Sequence, residues 1–272
     1  MAIRLIATDI DGTLIYGCRE EPTERVKAAL RAAQEKGVKV ALATGRMPVA
    51  SRFYTRWMSE DAMAIFANGA LLAKPGGEVE QEVGMDPDGA REVWDRGIAL
   101  GLGVVAWTKS GLYLNREDGP MKVYRGVAIC APVWTAKVIE DVEEVIPEGI
   151  VKMLWVAEEA VIDEVLKDLD AEGIPGVDHM RSEKEYIEMV RPGVSKGTGL
   201  ALLAERMGLR RDEIMAIGDE MNDLAMIEYA GYGIAMGSAP EKVRQAAVYT
   251  TGTAEEDGLA LAIERFVLGE KA

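Results

Sequence analysis

Cysteine is scarce in this chain, which contains only Cys18 and Cys130 among its 272 residues. Two cysteines so far apart in sequence do not provide a disulfide framework or a thiolate zinc site. We therefore expect both to be ordinary buried or half-buried thiols. Long apolar stretches are missing as well. No segment approaches about 18 uninterrupted apolar residues, so no membrane span is expected.

The first residues also lack the features of a secretory signal. The apolar run at the N-terminus is too short for a signal-peptide core, and it meets an acidic residue, Asp9, almost at once. The expected location is therefore the cytoplasm.

Positive charge is in short supply: 31 Lys and Arg residues stand against 46 Asp and Glu residues, a formal net charge of -15. Such a field repels nucleic acid and anionic membranes, so neither is expected as a partner. The same field repels a phosphorylated small molecule, so any phosphate site requires its own local positive charge. In solution we expect a monomer or a small homo-oligomer.

Near both ends of the chain, patterns typical of buried strands alternate with patterns typical of amphipathic helices. The predicted strands are Ile3 to Thr8, Val38 to Leu42, Ala64 to Ala67, Ile214 to Ile217 and Gly233 to Ala235. Strands that alternate with helices predict an α/β fold: a doubly wound, mainly parallel, Rossmann-like core sheet covered by helices on both faces.

Between about Gly84 and Ile187 the pattern changes, because helical and strand-like stretches no longer alternate regularly. Four of the five tryptophans lie here, at positions 94, 107, 134 and 155. We interpret this segment as an inserted α+β cap domain. The expected domains are therefore a core formed by residues 1–83 and 188–272, and a cap formed by residues 84–187.

Polar clusters follow the ends of the predicted core strands. In an open parallel sheet, ligands bind beyond the carboxyl ends of the strands, where loops and helix N-termini converge. The clusters are Asp9-Ile10-Asp11-Gly12-Thr13, Thr44-Gly45-Arg46, Lys196 at a helix start, and Gly218-Asp219 with Asn222 and Asp223. All four are therefore expected in one crevice.

Asp9 and Asp11 are two residues apart, so an extended backbone directs both into that crevice. One carboxylate can attack phosphorus while the other, protonated at first, donates to the leaving oxygen and later accepts a proton from water. Taken alone, the pair also fits a simple turn. A calcium loop ending at Glu20 is excluded, because such a loop requires glycine at its sixth position and Gly12 occupies the fourth.

Asp219 and Asp223 bring more negative charge to a helix N-terminus, where helix capping is the alternative interpretation. Carboxylates gathered within about 4 Å repel one another by several kcal/mol at an effective dielectric near 20, so the cluster requires a cation. Oxygen ligands without histidine or cysteine favour Mg²⁺.

Lys196 answers the need for local positive charge, since a lysine at a helix N-terminus opposes the macrodipole unless an anion lies nearby. A solvated surface lysine is the alternative. Thr44 and Gly45 offer a hydroxyl and a backbone N–H to phosphate oxygens, and Arg46 adds a charged fork. The alternative for this segment is a strand-to-helix turn.

With these residues assembled, the chain resembles the haloacid dehalogenase-like superfamily, and within it the Cof-type phosphatases that carry a large α+β cap. The four clusters match the four motifs of that family in order. Asn68-Gly69-Ala70 and the segment from Glu188 to Lys196 also look like this subgroup. The resemblance covers nearly the whole chain, although the cap matches in placement and size only.

The resemblance implies a role for each motif residue. Asp9 is similar to the nucleophile that becomes aspartyl-phosphate, and Asp11 to the general acid/base, whose backbone carbonyl also binds the metal. Asp219 resembles the third protein ligand of Mg²⁺ and Asp223 a supporting carboxylate. The expected metal site thus comprises Asp9, Asp11, Asp219 and Asp223. The expected phosphate cradle comprises Ile10 N–H, Thr44, Gly45, Arg46, Lys196 and Asn222.

The expected function is Mg²⁺-dependent hydrolysis of a small phosphorylated metabolite, with a sugar phosphate favoured and the cap closing over it. An aspartate at the second acid position favours hydrolysis over dehalogenation, since a dehalogenase has no leaving oxygen to protonate. A phosphotransferase or mutase using the same site, and a binding protein without turnover, stay open as alternatives. Candidates for substrate contact in the cap, each also interpretable as a solvated surface residue, are Lys122, Arg125, Lys152, His179 and Arg181.

Overall fold

The structure is a computed structural model that describes residues 2–17, 19, 21–121 and 136–269. Predictions made for Cys18, Cys130, Lys122, Arg125 and Trp134 lie outside these described residues. The chain divides into a larger unit, Met1–Gln81 with Ser195–Ala272, and a smaller unit, Glu82–Val194.

The first part of the larger unit alternates strands and helices as far as its third strand, which two further strands follow. Its elements are β1 (Leu5–Thr8), α1 (Glu24–Glu35), β2 (Lys39–Leu42), α2 (Pro48–Ser51), β3 (Ala64–Phe66), β4 (Leu71–Ala73) and β5 (Val79–Glu82). Helix α1 begins after Thr23, because the Thr23 hydroxyl caps it by accepting a hydrogen bond from the Val26 N–H.

The smaller unit combines two long helices with a sheet. Its elements are α3 (Pro87–Ala99), β6 (Gly103–Thr108), β7 (Leu112–Leu114), β8 (Lys137–Val138), β9 (Ile150–Val156), α4 (Glu159–Glu172), β10 (Asp178–Glu183) and β11 (Tyr186–Val190).

The chain then returns to the larger unit. The elements are α5 (Lys196–Met207), β12 (Ile214–Gly218), α6 (Leu224–Tyr229), β13 (Tyr232–Ala235), α7 (Glu241–Ala246), β14 (Tyr249–Thr250) and α8 (Gly258–Ile263). Gly208 ends α5 in the left-handed conformation, which glycine adopts readily. None of the helices in the described part of the chain is both long enough and apolar enough to cross a bilayer.

The core sheet has the order β14-β13-β12-β1-β2, and every neighbouring pair is parallel. The chain winds outward from β1 to β2 on one side and from β12 to β14 on the other. The predicted α/β core with a parallel sheet is therefore confirmed. Strands β1 and β12 are adjacent, and all their residues are buried. Their carboxyl ends consequently deliver Asp9 and Asp219 to the same edge of the sheet.

The third predicted strand behaves differently from the others. Strand β3 pairs antiparallel with β4 in a separate three-stranded sheet, β3-β4-β5. An isolated parallel bridge between Ala43 and Ile65 links it to the parallel sheet. The tight turn that follows β3 reverses the chain at once, so no crossover helix is available to continue the parallel pattern.

The smaller unit is built on a six-stranded sheet with the order β10-β11-β9-β6-β7-β8. Trp94 and Trp155 are fully buried in its hydrophobic core, where the Trp155 indole N–H donates to the Val93 carbonyl oxygen at 2.9 Å. The domain limit expected at Ile187 falls inside β11, which pairs with both β9 and β10. A strand paired on both edges cannot be divided between two units, so the smaller unit extends to Val194.

The candidate substrate contacts in the smaller unit differ in exposure. Lys152 is not a solvated lysine, because it is buried in β9 and its ammonium donates to the buried Glu188 carboxylate at 2.8 Å. His179 Nε2 lies 2.9 Å from Asp170 Oδ1, and Arg181 Nη1 donates to Asp163 Oδ1 at 2.5 Å.

Candidate active site

A buried lysine lies between two buried carboxylates at the carboxyl edge of the core sheet. The Lys196 ammonium donates to Asp9 Oδ1 at 2.8 Å and to Asp223 Oδ1 at 2.6 Å. The side chains of Lys196, Asp9 and Asp223 are 1%, 8% and 0% exposed, respectively. Buried charges are stable only when they are paired, so each of the three groups depends on the others.

The N-terminus of α5 places Lys196 in this position. Ser195 caps the helix: its hydroxyl accepts from the Thr198 N–H at 3.1 Å, and its own N–H donates to the Thr198 hydroxyl at 2.9 Å. Lys196 is the first helical residue. The sequence predicts an anion near this lysine. In the structure, Asp9 and Asp223 are two such anions.

Asp219 is held by the first motif. The Thr13 hydroxyl donates to Asp219 Oδ1 at 2.8 Å across 206 positions of sequence. Gly12 has φ +77, and a Cβ atom at this position would collide with the Asp219 carboxylate. The glycine of the first motif thus leaves the space that Asp219 fills. The sequence gives no role to Thr13, since a contact over this separation has no local signal.

Asp223 supports both the lysine and the loop after β12. Its Oδ2 accepts hydrogen bonds from the N–H groups of Asp219 and Glu220, at 2.8 and 2.9 Å. Its Oδ1 accepts from Lys196. Both oxygens of Asp223 therefore already have protein donors, in keeping with a supporting carboxylate.

Asp11 lies apart from this buried cluster. Its side chain is 51% exposed and forms a bidentate pair with Arg46, in which Nε donates to Oδ2 at 2.7 Å and Nη2 to Oδ1 at 2.5 Å. The structure therefore brings Arg46 to Asp11, a contact that the sequence does not predict.

The other predicted cradle residues line the same edge. Thr44 is buried, and its hydroxyl accepts from the Arg46 N–H at 3.1 Å. Ile10 is buried directly after Asp9, and its carbonyl oxygen accepts from the Ile15 N–H at 2.9 Å. Asn222 donates through Nδ2 to Asn68 Oδ1 at 3.0 Å. Gly45 lies against the amide of Asn68, a residue that the sequence indicates only through the family resemblance.

Burial and crowding perturb the titration of the cluster. Burial raises the pKa of Asp9 well above its usual range against the opposing effect of Lys196, and Asp223 and Asp219 raise it further. Burial, followed by repulsion from Asp223, raises the pKa of Asp219 to about 7. Burial alone would lower the pKa of Lys196, but attraction to Asp223 and Asp9 raises it. When all three are ionised, the carboxylates carry more negative charge than one lysine compensates, and the raised pKa values reflect this repulsion in addition to burial.

This excess of negative charge fits a divalent cation. Asp9, Asp219 and Asp223 each offer an oxygen atom, and these atoms lie within 4.8 Å of one another. All three residues are buried, and the donor set consists of carboxylates alone. Oxygen donors of this kind suit a hard cation such as Mg²⁺. The Asp11 side chain, although predicted for the metal site, is not part of this group.

A family model of the haloacid dehalogenase-like hydrolases matches residues 6–263. The chain belongs to this family. The resemblance inferred from the four motifs is therefore confirmed, and the chain is an enzyme of the hydrolase class.

Relatives and solved structures of this family match the chain along its length. Protein YxeH of Bacillus subtilis is 32% identical over 272 residues, which cover 98% of this chain and 99% of YxeH. The 5-amino-6-(5-phospho-D-ribitylamino)uracil phosphatase YcsE of the same organism is 29% identical and covers 98% of this chain and 96% of its own. The structure of the subclass IIB sugar phosphatase BT4131 superimposes with a TM-score of 0.81 at 25% identity, covering 97% of this chain and 98% of BT4131.

We expect Lys196→Met to destabilise the protein by about 3–5 kcal/mol, because it leaves two buried carboxylates without their cation. Chemical unfolding in urea at neutral pH and without divalent cations measures this loss. Lys39→Met is the matched control, since Lys39 forms an exposed pair with Asp61 and should cost about 0–1 kcal/mol. Equal losses in the two variants would show that burial of the Lys196 cluster does not matter.

Proposed function

We propose that this enzyme is a Mg²⁺-dependent phosphatase that hydrolyses a small phosphorylated metabolite, with a sugar phosphate as the favoured class. The observation that carries the proposal is the buried Asp9 carboxylate, held by Lys196 beside Asp219 at the carboxyl end of β1. The names of YcsE and BT4131 support the substrate class, because one acts on a phosphorylated ribityl compound and the other on sugar phosphates.

In the proposed first step, Asp9 attacks the phosphorus atom. Lys196 holds Oδ1, while Oδ2 accepts no hydrogen bond from the described residues and is the attacking oxygen. A bond forms between Oδ2 and phosphorus as the bond from phosphorus to the ester oxygen breaks. The ammonium of Lys196 meanwhile stabilises the negative charge around the transferring group.

Asp11 supplies the proton for the leaving oxygen and later removes a proton from water. That water attacks the phosphorus of the aspartyl-phosphate, which releases orthophosphate and restores the Asp9 carboxylate. Arg46 occupies both oxygens of Asp11, so the pair must open before Asp11 can carry a proton. An incoming phosphate offers Arg46 an alternative bidentate partner, consistent with the predicted place of Arg46 in the phosphate cradle.

For the metal, we propose Asp9 and Asp219 as side-chain ligands, the backbone carbonyl of Asp11 as a third ligand, and Asp223 as the supporting carboxylate. Bound there, Mg²⁺ would neutralise the crowded carboxylates and the charge of the phosphate ester. The residues of the chain position the metal ligands, the lysine and the phosphoryl group. Thr13 holds the Asp219 carboxylate, Asp223 holds Lys196, and Ile10 N–H, Thr44, Gly45 and Asn222 bind the phosphoryl oxygens.

Asp9→Asn should abolish orthophosphate release from a panel of phosphomonoesters assayed with Mg²⁺, because a neutral amide is not a nucleophile toward phosphorus. The matched control is Asp61→Asn, which makes the same chemical change at an exposed carboxylate of the larger unit. Activity in Asp61→Asn and its absence in Asp9→Asn are expected. Turnover by Asp9→Asn would contradict the proposed function. If the parent enzyme transferred the phosphoryl group to a second hydroxyl rather than to water, it would be a phosphotransferase instead.

Asp11→Asn should have an effect that depends on the leaving group. With an alkyl phosphate such as a sugar phosphate, kcat/KM should fall by about 10²–10⁴-fold, since the leaving oxygen requires a proton. With p-nitrophenyl phosphate the fall should be much smaller, because the leaving phenolate is stable without one. Steady-state kinetics on both substrates tests this role. Equal losses on the two substrates would mean that Asp11 does not act as the acid in the first step.

Asp219→Asn should weaken Mg²⁺ binding by at least about 10-fold, as measured by calorimetric titration without substrate, since even outer-shell partners contribute on this scale. Asp11→Asn is the control, because its side chain lies outside the carboxylate cluster and its backbone carbonyl is unchanged. Unaltered Mg²⁺ affinity in Asp219→Asn would place the metal elsewhere.

A further inference from the structure

A tight turn after β3, formed by residues 67–69, contacts three of the four motifs. The Ala67 N–H donates to the Arg46 carbonyl oxygen at 3.0 Å, and the Asn68 N–H donates to the Thr44 carbonyl oxygen at 3.1 Å. Gly69 lies against Ser195, whose carbonyl oxygen a Cβ atom at position 69 would strike. The turn therefore joins the second motif to the helix start that carries Lys196.

The backbone of this turn adopts a conformation that L residues rarely occupy. Ala67 has φ 48, Asn68 has φ 54 and Gly69 has φ 105. Glycine tolerates such angles and asparagine accepts the left-handed region more readily than most residues, but alanine does not. A strained conformation persists only where the surrounding structure enforces it, and such positions cluster at functional sites.

The Asn68 side chain is buried against Gly45 and contacts Asn222. It is 2% exposed, and Gly45 lies so close that a Cβ atom there would sit 3.0 Å from Asn68 Oδ1 and 3.3 Å from Nδ2. Oδ1 accepts a hydrogen bond from Asn222 Nδ2 at 3.0 Å. The two asparagines are 154 positions apart in sequence.

Asn222 is left with hydrogen-bonding capacity that the described residues do not fill. Its Oδ1 is buried and has no partner among them. A side-chain amide carries two N–H groups, so one donor also remains after the bond to Asn68. Buried polar atoms without partners are rare in folded proteins, and each requires an explanation. A phosphoryl oxygen can accept from the remaining N–H, whereas Oδ1 can be satisfied only by a donor such as a ligand hydroxyl or a water molecule.

We propose that Asn68 is a positioning residue that fixes the orientation of the Asn222 amide toward the transferring phosphoryl group, an inference that rests on the proposed function. Because Nδ2 is bonded to Asn68, the Asn222 amide cannot turn over without losing that bond. Its second N–H, the donor that a phosphoryl oxygen can use, therefore stays in a fixed place before the substrate binds. Asn68 acts through Asn222 and does not itself touch the substrate.

A double-mutant cycle tests this coupling. Asn68→Gly removes the amide while accepting φ 54 without strain, and Asn222→Ala removes the group on which Asn68 acts. We expect Asn68→Gly to lower kcat by about 10- to 100-fold, with a smaller change in KM. In the Asn222→Ala background the same substitution should have almost no further effect, because coupled residues are not additive. Independent, multiplicative losses would overturn the proposal.

Asn68→Ala separates the amide from the backbone of the turn. It also removes the amide but places an L residue at φ 54. If Asn68→Ala were impaired and Asn68→Gly were as active as the parent enzyme, the turn alone would matter and the proposal would be wrong. Thermal unfolding of each variant shows whether it is folded before its activity is compared with that of the parent enzyme. Asn68→Ser replaces Asn68→Gly in the cycle if the glycine variant does not fold.

A second measurement keeps this inference separate from the proposed function. The affinity for orthophosphate in the presence of Mg²⁺ is determined by calorimetry for all four members of the cycle. If the parent protein hydrolyses no phosphomonoester, the proposed function fails, but the orthophosphate affinities still decide the role of Asn68. The proposal is supported if Asn68→Gly weakens orthophosphate binding in the parent protein but causes no further weakening in the Asn222→Ala background. Identical affinities in the parent protein and Asn68→Gly contradict it.

Discussion

The site depends on one interaction, the double hydrogen bond from the buried Lys196 ammonium to Asp9 and Asp223. These residues come from three separate parts of the larger unit: the end of β1, the start of α5 and the loop after β12. A buried charge without a partner is very costly, so all three elements must be in place before any one of them is stable there. The lysine is therefore stable in its buried position only when the three elements have assembled into the site.

The lysine does not complete the charge balance. Asp219 lies beside the pair with its pKa raised to about 7 by burial and by Asp223, and the pKa of Asp9 is raised as well. A protein that gathers carboxylates in this way stores unfavourable electrostatic energy, which a bound cation can relieve. Because the net charge of -15 repels a phosphate ester, the positive charge that attracts it has to come from the site itself, where Lys196 supplies one such charge.

The supporting hydrogen bonds explain how the carboxylates keep their places. Thr13 holds Asp219, Asp223 holds the backbone of its own loop, and the turn at residues 67–69 connects the second motif to Asn222 and α5. Each of these groups is buried or half-buried, so its hydrogen bond has little competition from water. Catalysis by positioned charges requires such rigidity, since groups that must reorganise during the reaction stabilise the transition state less well.

The sequence by itself determined the parallel core, the inserted unit and the residues of the four clusters. Buried strands have a local apolar pattern, and the motifs are short segments whose spacing is visible in one chain. The pairing of β3 with β4, the bond from Thr13 to Asp219, the pairing of Arg46 with Asp11 and the contact between Asn68 and Asn222 were decided only by the tertiary structure. These side-chain contacts join residues 35 to 206 positions apart, and the partner of β3 depends on how the following turn directs the chain. No local pattern encodes which distant group fills a given space; that choice is made when the strands and helices pack.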